Sequence, residues 1–233
     1  IDERHDIAIT PSIGISLYPD HAQVPTDLLK HADTAMYQAK AAGRHTFLRY
    51  TESMDSSTRQ RAGLIASLRR AIERNELRLV YQPQLSLADG GIRCVEALLR
   101  WYSTEHGEVS PVQFIPLAEE SGMIVGIGEW VLREACNTLA NWQRAGLPGV
   151  TMAVNVSATQ LLHSDLPRAV ERILRETGID PGQLELELTE SELMTKDDAS
   201  AMARVLEGVI AGIGFLGGGA IIQHSNSVRG TAT

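Results

Sequence analysis

Three stretches of the chain alternate between apolar and polar positions with the same parity. In IRCVEALLRW, Val95, Ala97, Leu99 and Trp101 fall on one face and Cys94, Glu96, Leu98 and Arg100 on the other, because successive strand side chains point to opposite sides. TMAVNVS sets Met152, Val154 and Val156 against Ala153, Asn155 and Ser157, and LELELTES sets Leu184, Leu186 and Leu188 against Glu185, Glu187 and Thr189. Each pattern predicts a strand with one face suited to helices and a polar group placed late on the other. The segments between them carry helix punctuation: Ser110 and Pro111 open one helix that Gly122 ends, Gly146 closes a second and Gly178 a third. Strands alternating with helices indicate the α/β class. Polar groups near the C-terminal ends of parallel strands are where a (β/α) barrel builds its site.

The N-terminal region reads differently. ITPSIGISLY alternates over Ile7 to Tyr18 as a strand, and YPDHAQVP is a turn-rich loop. Thr26 is placed to cap a helix in which Leu28, Leu29, Ala32, Ala35, Met36 and Ala39 recur at helical spacing until Gly43. A short strand is expected over Thr46 to Tyr50. The polar run from Thr51 to Arg61 suggests a domain boundary, after which Leu64, Ile65, Leu68 and Ile72 mark another helix. The divisions predicted are 1–50, a linker at 51–67, a main α/β segment at 68–202 and a tail at 203–233.

Composition narrows the function. With 233 residues, 43% hydrophobic and 21% charged, the chain lies in the globular range. A net charge of -8 argues against a broad basic face for a nucleic-acid polymer, although a few Arg or Lys residues can still hold a phosphate. Cys94 and Cys136 lie outside any CxxC spacing, which supports neither a disulfide framework nor a zinc knuckle and fits a reducing cytoplasm. The opening IDERHDIAIT has no signal-peptide pattern and reads as the middle of a domain, so the chain is expected to be a fragment.

Glu96, Asn155 and Glu187 are hard oxygen donors with no His or thiolate beside them, a set that favours Mg²⁺ or Mn²⁺. Divalent ions held this way can activate water and steady the leaving oxygen of a phosphodiester. Taken singly, each residue is weak evidence, since a Glu on a strand is more often a solvated edge or a member of an ion pair.

Longer motifs carry a resemblance. SIGISLYP followed by ADTAMYQAKAAGRH resembles the C-terminal part of GGDEF diguanylate cyclase domains over roughly the first fifty residues. The resemblance implies that Lys40 and Arg44 lie near a nucleotide triphosphate, and their spacing of four would set both cations on one helix face. They also suit a helix C-terminus, where the dipole favours cations. The GGDEF loop itself is absent from the sequence, which excludes cyclase activity for this polypeptide.

YQPQLSL, VEALLRW, SPVQFIPLAEESGMI, AVNVSATQL and LELELTES resemble, in order and spacing, the EAL family of cyclic di-GMP phosphodiesterases. That family hydrolyses one phosphodiester bond of cyclic di-GMP to give pGpG with metal-bound water. The resemblance implies a TIM-like barrel, here partial. It also implies that Glu96, Asn155 and Glu187 are metal ligands, that Gln82, Leu98 and Arg100 contact substrate with Arg100 at a phosphate, and that Glu190 steadies a loop. On the residues alone, Gln82 before Pro83 could simply end a strand, and Arg100 could pair with Glu96. The family's later carboxylate-bearing segments have no counterpart, and no Asp or Glu follows Glu207. The isolated chain is therefore expected to be inactive, leaving a non-catalytic cyclic di-GMP-binding or protein-interaction module, or a chimeric reading frame, as alternatives. A partial barrel also invites pairing with a second copy or with another EAL or GGDEF chain.

The tail ARVLEGVIAGIGFLGGGAIIQHSNSVRGTAT resembles part of the MgtC family of bacterial inner-membrane proteins. Val205 to Ile222 approaches a membrane-spanning length but is interrupted by Glu207, so membrane association and a poorly structured apolar tail both remain as readings. GIGFLG also fits a dinucleotide fingerprint, yet no acidic residue follows at the ribose-binding distance, and that reading is rejected.

Overall fold

A computed structural model of the chain describes residues 10–147 and 149–188, together with the backbone of 223–224 and 227–228. The chain separates into two compact units, residues 1–64 and 65–233.

In the first unit, β1 (Ile13–Ile15) pairs in parallel with β2 (Phe47–Arg49), and α1 (Pro25–Ala41) connects them. The strand expected from Ile7 to Tyr18 contracts, within the described residues, to the three positions that have partners on β2. Gly14 is required by contact: a Cβ there would lie 1.9 Å from the Ala32 carbonyl oxygen and 2.2 Å from the Met36 nitrogen. Helix α1 thus rests on the strand backbone, with Ala35 and Ala39 fully buried. Thr26 is not the cap. Val24 holds the N-cap position without a side-chain bond, and Pro25 starts the helix because its fixed φ suits the first turn and it has no N–H to satisfy. Tyr50, just past β2, stacks on His31 at 4.0 Å and donates to Asp55 Oδ2 at 2.8 Å. Burial and that bond push its phenol up to about 12.

The polar run read as a connection is instead helical, forming most of α2 (Glu52–Leu68). It contains no Pro, and its hydroxyls bond back to carbonyls of the same helix, Ser56 to Ser53 at 2.7 Å and Thr58 to Met54 at 2.8 Å.

The second unit contains β3 (Leu77–Leu85), β4 (Ile92–Ser103), β5 (Gly107–Val109), α3 (Pro111–Glu120), α4 (Ile124–Arg144), β6 (Thr151–Val156), α5 (Ala158–His163), α6 (Leu166–Thr177) and β7 (Leu184–Leu188). Its sheet runs β3-β4-β6-β7, with β5 added to the end of β4. β4, β6 and β7 are parallel, while β3 is antiparallel to β4. The result is an α/β fold of partial (β/α)-barrel type. β3 does not stop at Gln82, since Pro83 pairs opposite Val95 and the strand continues to Leu85. Pro is tolerated on a strand whose N–H is not needed by a second neighbour.

The apolar parity read from the sequence packs against the helices. Trp101 and Phe114 are both fully buried and meet edge to face at 5.6 Å. Helix α4 buries Ile124, Ile127, Val131, Leu132, Ala135, Leu139 and Ala140, and α6 buries Leu166, Val170, Ile173 and Leu174, each at helical spacing. Cys94 and Cys136 are free, buried thiols. No helix among the described residues is long and apolar enough to cross a membrane. Thr189, Glu190 and nearly all of the 203–233 tail lie outside the described residues; β8 (Gln223–His224) and β9 (Ser227–Val228) pair antiparallel there.

Candidate active site

The register of the sheet brings the predicted residues onto one face. Gln82 on β3 pairs with Glu96 on β4, Glu96 pairs with Ala153 on β6, and Asn155, two residues further along β6, pairs with Glu187 on β7. Paired residues on neighbouring strands point to the same side, as do positions i and i+2. Gln82, Glu96, Leu98, Arg100, Asn155 and Glu187 therefore share the face opposite the helix-packed one.

Their contacts are specific. Asn155 Nδ2 donates to Glu96 Oε1 at 2.7 Å. Glu187 is half-buried, and its carboxyl is raised above the usual range first by burial and then by the negative charges of Glu96 and Glu185. Glu185 was not singled out from the sequence, although the alternation in LELEL places it on the same face. Cys94, two residues before Glu96, has its thiol raised by burial and by the charges of Glu185 and Glu187, against the opposing effect of Thr151. The polar face thus gathers negative charge with no cationic side chain bonded to Glu187 among the described residues.

Arg100 does not pair with Glu96. Its Nη1 donates to the Leu99 carbonyl at 2.9 Å, and it makes no ion pair among the described residues. Leu98, Arg100 and Asn155 line a cavity of about 210 Å³ whose apolar wall includes Ile115, Ile127 and Val131 from α3 and α4. At the end of β6, Ser157 and Gln160 form a reciprocal capping box that starts α5, with the Gln160 amide donating to Ser157 Oγ and the Ser157 amide donating to Gln160 Oε1. The S-x-x-Q spacing in SATQ was a legible signal for it.

In the first unit, Lys40 lies in the last turn of α1, but Arg44 does not share its helix face. The helix ends at Ala41, and Gly43 and Arg44 adopt φ of 104° and 60°, which turns the chain away from the helical path.

Two carboxylates and an amide whose oxygen can turn inward suit a hard divalent cation, and the Glu187 carboxyl, raised first by burial and then by its acidic neighbours, is one whose charged form a cation would favour. The donor set is small: no group of three or more His, Cys, Asp or Glu side chains is assembled for a metal among the described residues.

Residues 65–215 match the family model for the EAL domain, and residues 2–46 match that for the diguanylate cyclase GGDEF domain. The EAL match extends into the first part of the apolar tail. The bifunctional diguanylate cyclase/cyclic di-GMP phosphodiesterase MucR of Pseudomonas aeruginosa is 43% identical over 91% of this chain and 31% of its own length. The cyclic di-GMP phosphodiesterase PdeR of Escherichia coli is 39% identical over 80% of this chain and 28% of its own. The chain thus spans about a third of the length of these curated relatives. Among solved structures, the PaMucR phosphodiesterase in complex with c-di-GMP superposes with a TM-score of 0.62 at 40% identity, covering 73% of this chain and 66% of that one. The FimX EAL domain of Pseudomonas aeruginosa bound to c-di-GMP gives a TM-score of 0.58 at 27% identity, covering 70% of this chain and 63% of that one. By its sheet, its shared polar face and these matches, the chain belongs to the EAL domain family.

Proposed function

We propose that this chain carries part of a cyclic di-GMP phosphodiesterase site, in which cyclic di-GMP is bound together with Mg²⁺ or Mn²⁺ for hydrolysis to pGpG. The observation that carries this reading is the convergence of Glu96, Asn155 and Glu187 on one face, with the Glu187 carboxyl raised by burial and by its acidic neighbours. EAL phosphodiesterases are generally dependent on divalent metal. Glu96, Asn155 and Glu187 would hold the cation, which when bound supplies Lewis-acid stabilisation to the phosphodiester. Arg100, beside the cavity, would meet a phosphate oxygen, and Gln82 and Leu98 would bound the nucleotide. Lys40 and Arg44 would serve as a remnant phosphate contact of the GGDEF segment, and Glu190 would steady a loop.

A second reading is binding without turnover: the two carboxylates and the amide gathered among the described residues account by themselves for holding a cation and a phosphate. The functional divisions proposed are 1–50, 51–67, 68–202 and 203–233. The MgtC-like origin of the last, with any membrane contact through it, rests on its GIGFLGGG and VRG motifs alone, and pairing with another EAL or GGDEF chain rests on the partial barrel.

Calorimetric titration of cyclic di-GMP with and without Mn²⁺, alongside chromatography for pGpG, tests both readings. Mn²⁺-dependent binding lost in Glu96→Ala is expected. Formation of pGpG that disappears in that variant selects the enzyme, binding without pGpG selects the binding module, and no binding under either condition refutes both.

A further inference from the structure

We propose that Gln160 is a positioning residue that sets Asn155 against Glu96, and that Gly128 of α4 exists to make room for it. The proposal rests on reading Asn155 as part of the cation site, but its geometry is independent of any ligand. Gln160 is 3% exposed and Ser157 8%, and their capping box fixes the backbone where the chain leaves β6. Asn155 lies two residues before Ser157, so the angle at which the chain turns into α5 determines where its side chain reaches.

The Gln160 side chain is itself held from the other side. A Cβ at Gly128 would lie 1.8 Å from Gln160 Nε2, 2.4 Å from its Cδ and 2.7 Å from its Oε1. No side chain at position 128 coexists with Gln160 in this rotamer. A glycine inside a helix is less favourable than alanine, and here it seats an amide beside the cavity that Leu98, Arg100 and Asn155 also line. The chain of contact runs from Gly128 to Gln160, to the Ser157 N–H at 3.2 Å, and along β6 to Asn155 at 2.7 Å from Glu96.

The test uses the full chain with Gly128→Ala, Gln160→Ala and the double variant. Alanine favours the helix, so α4 should form and circular dichroism should not change. Each single variant should shift the Asn155 side-chain amide signals in NMR spectra and weaken Mn²⁺ binding about ten-fold, the range expected when a group orienting a ligand is lost. The double variant should be no worse than either single one, because both remove the same contact. If Asn155 signals and Mn²⁺ affinity stay at wild-type values while only thermal stability falls, Gln160 is a core residue and the proposal is overturned. Should the unmodified chain bind no Mn²⁺, the cation reading fails on its own, and the Asn155 signals alone decide this inference. If Gly128→Ala does not fold, Gln160→Ala carries the same two readouts.

Discussion

Two acidic clusters of the second unit, one at the ends of β3 and β4 and one on the polar face of β4 and β7, are built on opposite principles. Just before β3, Glu76 is 3% exposed and saturated with donors: Trp101 Nε1 at 3.1 Å, the Thr104 hydroxyl at 2.7 Å and the Thr104 amide at 3.2 Å. Burial alone would push its carboxyl up, yet those hydrogen bonds, with Arg74 nearby, bring it below the ordinary value. Next to it Glu105 accepts from Ser67 at 2.6 Å and Arg74 at 2.9 Å, which lowers its carboxyl to about 2. On β7, Glu187 has the reverse environment, with burial and like charges raising it. A carboxylate whose lone pairs are answered from within the fold serves stability. One that the fold leaves among like charges fits the cation site proposed above.

The largest expected effect tests the first half of that contrast. Glu76→Ala removes one carboxylate on which three donors converge and leaves the Trp101 N–H buried without an acceptor. The loss should be about 3 kcal/mol, read as a lower midpoint for the EAL unit in denaturant titration. A loss near zero would mean that the saturated cluster is not structural.

Glu187→Gln should behave oppositely. It removes the repulsion with Glu96 and Glu185, so thermal stability near neutral pH should hold or rise, while Mn²⁺ affinity falls about ten-fold or more, or roughly 1.4 kcal/mol of binding free energy. A drop in stability with Mn²⁺ affinity intact would invert the assignment of the two clusters.

The difference between the clusters was only half legible in the sequence. Strict alternation in IRCVEALLRW, TMAVNVS and LELEL reports which face each residue takes, because side-chain direction in a strand has a period of two and needs no knowledge of partners. That is why Glu96, Asn155 and Glu187 could be placed together. Glu76 gave no signal: in RNELRLVY it reads as a solvated charge, and its donors come from residues 25 and 28 positions away. Helix limits failed where local chemistry competed. Pro25 displaced Thr26 as the start of α1, and Gly43 turned Arg44 off the helix that ends at Ala41. The polar run before Leu64 became part of α2 because polarity speaks to exposure, not to backbone conformation.

Titration should separate the clusters by sign. The Glu187 carboxyl is raised in the folded state, so the fold holds its proton more tightly than the unfolded chain does. Its contribution to stability is fully present below the ordinary value of 4.5 and is lost as pH rises through the raised one. Mn²⁺ affinity should climb over that same interval as the proton leaves. The Glu105 carboxyl is depressed, so its contribution is present above the ordinary 4.5 and is lost as pH falls toward about 2. Denaturation midpoints of Glu187→Gln and Glu105→Gln, each measured against the unmodified chain at several pH values, should therefore diverge in opposite directions at neutral pH. Parallel profiles would erase the distinction.

The smallest effect is expected at Arg70, whose Nη2 lies 3.3 Å from Glu105 Oε1, with the two side chains 49% and 46% exposed. An ion pair this open gains little from Coulomb attraction, gives up side-chain freedom and is screened by salt, so Arg70→Ala should cost less than about 1 kcal/mol. Glu105 keeps its bonds from Ser67 and Arg74 in that variant, and Glu76 keeps all of its donors. The measurement that sharpens the comparison is the same denaturant titration at low and high salt. A small loss that vanishes in salt assigns the strength of the structural cluster to buried hydrogen bonds. A loss as large as that of Glu76→Ala, persisting in salt, would mean that long-range charge rather than local donors holds this end of β4, and the contrast with Glu187 would have to be recast as one of net charge.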